Sequence, residues 1–170
     1  EISEASRIDA EMSRATLEKI DLAAMVQAII GGREHRAENQ NHRIEMGTRG
    51  FQAHVMGVGA RLERIVENLL DNAVSFSPPD APIEVLIDND GECVTLTVCD
   101  HGPGIPEDSR EKVFTRFHSV RPDSEDFGNH SGLGLAIARA IAEAHDGALV
   151  AKARTDGLPG ARMQLRLPSA

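Results

Sequence analysis

Two asparagines, Asn68 and Asn72, stand four residues apart in a stretch of helical periodicity, so they stack one turn apart. Asparagine is a poor helix-interior residue because its amide competes for the backbone. A pair in register at the edge of an apolar face is either a solvated edge or a source of carbonyl oxygens for a hard cation such as Mg²⁺. Phe76, one turn further on, either joins the core or offers its ring to a planar ligand. Asp100 closes a run in which Val94, Leu96 and Val98 point to one face, and the period of two puts Asp100 on that face as well. A carboxylate aimed at a core needs hydrogen-bond donors. A ligand amino group could supply one, and so could the backbone of the turn Asp100-His101-Gly102-Pro103-Gly104. Finally, Ser131-Gly132-Leu133-Gly134-Leu135 opens a helix, where free N–H groups and glycines suit a phosphate, or where serine simply caps the helix.

These residues need elements to position them. The strongest is a helix over residues 60–76, with Leu62, Ile65, Val66, Leu69, Leu70 and Ala73 on one buried face, ended by Ser77-Pro78-Pro79-Asp80. Strands at 83–88 and 92–100 flank Asn89-Asp90-Gly91, a hairpin signal. A second helix runs from about 132 to 144, and strands at 148–154 and 161–167 close the chain. Ahead of these, residues 1–18 read as a helix with a thin apolar stripe, 19–21 as a link, and 22–30 as a helix closed by Gly31-Gly32. Residues 42–47 and 52–56 read as a hairpin around Gly47-Thr48-Arg49-Gly50. The order of helices and antiparallel hairpins favours a two-layer α/β sandwich. Residues 101–131 carry three prolines, three glycines and one short helix candidate at 107–114, and read as a functional lid.

Composition bounds the function. The 170 residues include 18 basic and 27 acidic side chains, a net charge of −9, which argues against a nucleic-acid partner. An anionic ligand must then be held by backbone N–H groups, a metal ion or a few arginines. No apolar run approaches the roughly 18 residues of a membrane span, so no membrane contact is expected of this segment. Cys93 and Cys99 lie six apart in one strand, roughly 20 Å, too far for a disulfide. The P-loop, G-x-G-x-x-G, H-E-x-x-H, nucleophile-elbow and H-R-D patterns are all missing.

Taken in order, Asn68-Leu69-Leu70-Asp71-Asn72-Ala73, Asp100-x-Gly102-x-Gly104-Ile105, Val113-Phe114-Thr115-Arg116-Phe117 and Gly132-Leu133-Gly134-Leu135 resemble the ATP-binding catalytic domain of sensor histidine kinases, within the wider group that includes gyrase, a heat-shock chaperone family and mismatch-repair ATPases. The resemblance covers roughly residues 20–168. It implies a Bergerat fold, a mixed, mostly antiparallel sheet against three helices, with ATP between the long helix and a lid at about 101–131. It also implies that Asn72 ligates Mg²⁺ with help from Asn68, that Phe76 flanks the adenine, and that Asp100 accepts the adenine amino hydrogen in a pocket shaped by Gly102, Gly104 and Ile105. Phe117, His130 and Ser131 to Leu135 complete the nucleotide contacts, and Arg116 or Arg121 could reach the terminal phosphate.

The departures from the family pattern are Ser75 in place of a Lys or Arg, His130 in place of a glycine, and His145-Asp146-Gly147 in place of His-Gly-Gly. None of the seven histidines sits in a phosphoacceptor setting; most read as surface or lid residues, with His118 and His130 nearest the nucleotide. Residues 1–18 resemble the end of the second helix of the dimerisation hairpin, which places the acceptor histidine upstream, and 19–170 form the catalytic domain. The implied partners are ATP or ADP, that hairpin and a response regulator, in the cytoplasmic part of an inner-membrane sensor. Two rivals are a serine kinase or ATPase of the same group, and a degenerate nucleotide-binding regulatory module.

Overall fold

The structure is a computed structural model that describes residues 4–34, 42–115 and 134–170. Its elements are α1 (Glu4–Arg14), β1 (Glu18–Asp21), α2 (Leu22–Arg33), β2 (Ile44–Gly50), β3 (His54–Gly57), α3 (Gly59–Phe76), β4 (Ile83–Asn89), β5 (Cys93–Cys99), α4 (Gly134–Ala144), β6 (Ala148–Ala153) and β7 (Ala161–Pro168).

Five strands form one sheet in the order β2-β4-β5-β7-β6. β2 runs parallel to β4, and the other pairings are antiparallel, so the sheet is mixed and mostly antiparallel as expected. Alternation sends Ile83, Val85 and Ile87 from β4, Val94, Leu96 and Val98 from β5, and Met163, Leu165 and Leu167 from β7 into the core. α3 covers this layer with all six residues of its apolar stripe buried. Each fully buried Leu or Ile contributes about 1.5–3 kcal/mol, so the stripe fixes the rotation of α3 and with it the edge that carries Asn68 and Asn72. α4 packs beside α3, and α1 packs on α4 with Ile8 fully buried. Glu11 of α1 also ion-pairs with Arg61 of α3.

Several expectations about the first 57 residues need correction. The first helix ends at Arg14, and residues 18–21 are a strand rather than a link, paired antiparallel with β3. Residues 44–50 and 54–57 do not form a hairpin: β2 pairs with β4, Ile44 beside Ile83 through Gly50 beside Asn89, while β3 pairs with β1. What reads locally as a turn at Gly47 is strand, and the true bend follows Gly50, at φ +83°. There Phe51 N–H donates to Asn89 O, and the Asn89 side chain donates to Gln52 O, which holds the bend against the end of β4. α2 continues through Gly31-Gly32 to Arg33, because Asp21 caps its start and Arg33, 2% exposed, anchors its end on Glu67 and Asp71 of α3 at 2.6 and 2.9 Å. The short helix expected at 107–114 is two 3₁₀ turns, Glu107–Ser109 and Lys112–Phe114.

The second surprise is His145, which is buried rather than at the surface. Its Nδ1 donates to Ile141 O at 2.8 Å, and its Nε2 accepts from Val58 N–H at 3.1 Å, at the start of α3. Gly57 makes room, since a Cβ there would lie 2.8 Å from the imidazole. Cys93 and Cys99 stand at opposite ends of β5 as free thiols, as expected.

Candidate functional site

Where β5 ends, Asp100 N–H donates to Ala161 O at 3.0 Å and continues the ladder to β7 by one more residue. The Asp100 carboxylate is 2% exposed, and its Oδ1 accepts from Gly102 N–H at 2.9 Å and from Ala161 N–H at 3.0 Å. The turn and core-facing readings of Asp100 are therefore both correct. Both backbone donors converge on Oδ1, and among the described residues no hydrogen bond reaches Oδ2. Burial pushes the carboxyl pKa up from its ordinary value, opposed by those two N–H groups and by the nearby Arg154 and His101.

The turn is locked to the end of α3. His101 N–H donates to Ser77 Oγ at 3.1 Å, and a Cβ on Gly102 would lie 2.6 Å from Phe76 O, so only glycine permits this approach. Gly104 follows at φ +83°. A narrow cleft opens here between α3 and the turn, lined by Asn72, Phe76, Asp100, Pro103, Gly104, Ile105 and Ala161. Five of these, all except Pro103 and Ala161, are residues the sequence singled out, and Gly102 stands immediately behind them.

Asn68 sits one turn before Asn72, where its Nδ2 donates to Gly134 O at 2.9 Å at the start of α4. Its Oδ1 is then the atom it can offer a ligand. Two amide oxygens one turn apart are hard donors that suit a cation sharing its remaining positions with phosphate oxygens and water. Among the described residues no cluster of three or more His, Cys, Asp or Glu could hold a metal by itself. Leu135 packs partly buried against the core at the same end of α4. Ser75 turns its hydroxyl inward, where it is buried and, among the described residues, meets no hydrogen-bond partner. Glu67 faces away from the cleft, held by Arg33. Arg116, Phe117, Arg121, His130, Ser131, Gly132 and Leu133 lie outside the described residues, as do His35 and His118.

Sequence reasoning missed Arg154, Ala161 and Gly160. Arg154 donates from Nη1 to Asp100 O at 3.0 Å and ion-pairs with Glu84 and Asp156. Those pairs lift its pKa above the ordinary guanidinium value, and Arg154 in turn pulls the Asp156 carboxyl down to about 2. Gly160, at φ +137°, leaves space for the Asp100 carbonyl, which a Cβ would meet at 2.1 Å. Ala161 could have been found had the β5–β7 register been known, since it lies across from Asp100. Arg154 carries no motif signal.

A family model described as histidine kinase-, DNA gyrase B- and HSP90-like ATPase matches residues 57–170. The sensor protein ChvG of Rhizobium meliloti is 37% identical over 179 residues, covering 99% of this chain and 31% of that protein. This chain thus spans about a third of the length of that curated relative. Among solved structures, a mycobacterial sensor histidine kinase, MprB, is 31% identical, with a TM-score of 0.72 over 91% of this chain and 98% of that one. The catalytic domain of the histidine kinase ThkA shares the fold at 22% identity, with a TM-score of 0.74 over 91% of this chain and 97% of that one. The chain belongs to the histidine kinase-, DNA gyrase B- and HSP90-like ATPase family, and its relatives there are sensor histidine kinases.

Proposed function

We propose that this chain binds Mg·ATP in the cleft beside Asp100 and serves as the catalytic domain of a two-component sensor histidine kinase. The observation that carries this reading is the Asp100 carboxylate, buried and pinned through Oδ1 by two backbone N–H groups, with Oδ2 left for a donor on a ligand. The exocyclic amino group of adenine is such a donor. Phe76 and Ile105 flank the base, and Gly102 and Gly104 let the backbone approach it.

Asn72 and Asn68 would hold Mg²⁺ through their amide oxygens, and the ion would supply charge neutralisation at the phosphates. Arg116 or Arg121 reaches the terminal phosphate, and His130 with Ser131, Gly132, Leu133, Gly134 and Leu135 lines the triphosphate. Phe117 borders the pocket. The γ-phosphoryl group leaves ADP as its P–O bond breaks and forms a P–N bond to a histidine imidazole on a dimerisation hairpin. From there it passes to an aspartate of a response regulator. This chain's contribution is positioning and charge neutralisation, with no covalent intermediate on the chain itself. The helix that ends at Arg14 belongs to that hairpin's second helix, and the catalytic domain begins with β1 at Glu18, on the cytoplasmic side of an inner-membrane sensor. Hydrolysis of ATP is disfavoured because Glu67, the carboxylate nearest Asn68 in sequence, is held by Arg33 rather than free to activate water.

The test is phosphoryl transfer from radiolabelled ATP to a separately expressed dimerisation hairpin from a sensor kinase of this family. Acid-labile, alkali-stable label on the hairpin is expected. Nucleotide binding without any transfer would instead identify a regulatory module.

A further inference from the structure

No motif accounts for Arg154, yet its side chain is only 4% exposed and joins three segments around the cleft. Nη1 donates to Asp100 O at 3.0 Å, and Nη2 to Glu84 Oε1 of β4 at 3.0 Å. Nε and Nη2 grip both oxygens of Asp156, in the loop after β6, at 3.1 and 2.6 Å. Glu84 Oε1 in turn holds His101 Nε2 at 2.7 Å. A planar guanidinium can serve all these acceptors at once because its donors leave in fixed directions, which an ammonium cannot match.

The consequence falls on one residue. The N–H of Asp100 is held by Ala161 O, its carboxylate by Gly102 and Ala161, and its carbonyl by Arg154. Every polar group of Asp100 except Oδ2 therefore has a fixed partner. Glu84 and Asp156 are themselves well exposed, so water screens most of their attraction for the guanidinium and the ion pairs add little stability. Pinning a turn is the better reason to keep them.

We propose that Arg154 is a positioning residue for base recognition: it acts through Asp100, fixing the direction of Oδ2, and does not itself touch the nucleotide. This rests on the assignment of the cleft to the adenine base. Glu84 and Asp156 hold the guanidinium in place for that task.

ADP and GDP are titrated calorimetrically into the wild-type chain and into Arg154→Met, Arg154→Lys and Glu84→Gln, with a thermal melt of each. The expected result is that Arg154→Met loses about tenfold in its preference for ADP over GDP, the worth of one well-placed hydrogen bond to a charged group. Arg154→Lys is expected to stay close to Arg154→Met, since charge without the fork does not restore the geometry. An unchanged ADP-to-GDP ratio in folded Arg154→Met, or equal losses for both nucleotides, would overturn the proposal and leave Arg154 a stabilising residue only. Should Arg154→Met not fold, Glu84→Gln, which keeps the guanidinium but loosens its anchor, is read by the same ratio. Wild type that binds no ADP would overturn the cleft assignment and this proposal together. Wild type that binds ADP beside an unaltered variant would overturn this proposal alone.

Discussion

At the residue scale, Asp100 holds a buried carboxylate at a cost in stability. Burial raises its folded-state pKa, so the native chain holds that proton more tightly than the unfolded chain does. Its contribution to stability therefore falls as pH rises through the folded value, and the ionised carboxylate is a cost at neutral pH. Asp100→Asn removes that cost while Oδ1 still accepts from Gly102 and Ala161. The substitution is expected to raise the melting temperature at pH 7, and the gain should shrink as pH falls below the carboxylate range, where Asp100 is also neutral. A melting temperature lowered by Asn at pH 7 would contradict this account. Gly102 and Gly160 belong to the same arrangement, because a Cβ at either would strike backbone at 2.6 or 2.1 Å.

At the element scale, the end of α4 shows what replacing a glycine costs. Gly147 N–H bonds Ala142 O and Asp146 N–H bonds Glu143 O, a Schellman closure whose left-handed position is Asp146, at φ +61°. Aspartate tolerates that conformation better than most residues, though glycine adopts it without strain. Asp146→Gly is expected to stabilise the chain by about 0.5–1 kcal/mol, seen as a rise of roughly 1–4 °C in the thermal midpoint. No rise would mean that the aspartate side chain compensates the strain. Gly147 allows no such change, since a Cβ would sit 2.2 Å from Arg166 O. The same turn carries His145, which reaches back to Val58 and ties the start of α3 to the end of α4. Asn68 ties the middle of α3 to the start of α4. The two helices that bound the site are thus joined at both ends of α4.

At the scale of the whole molecule, what could be read from the sequence was local. The α3 stripe, the β4–β5 hairpin, the two closing strands and the inward aim of Asp100 depend on spacing along one segment, and all appear in the structure. The parallel β2–β4 pairing and the β1–β3 ribbon depend on partners dozens of residues away, so a glycine pair at 47 and 50 passed for a turn. His145 reads as surface by residue type, yet two backbone groups from different elements satisfy its ring. Arg154 was invisible for the same reason: its acceptors come from β4, the end of β5 and the loop after β6.

The central claim is that the cleft between α3 and the Asp100 turn holds an adenine nucleotide with Mg²⁺. Calorimetric titration of ADP, with and without Mg²⁺, into wild type, Asp100→Asn and Asn72→Ala tests it most directly. The expected result is binding by wild type, a loss of at least about tenfold in Asp100→Asn, and loss of the Mg²⁺ dependence in Asn72→Ala. Folded wild type that binds no adenine nucleotide, or Asp100→Asn that binds as tightly as wild type, would contradict it.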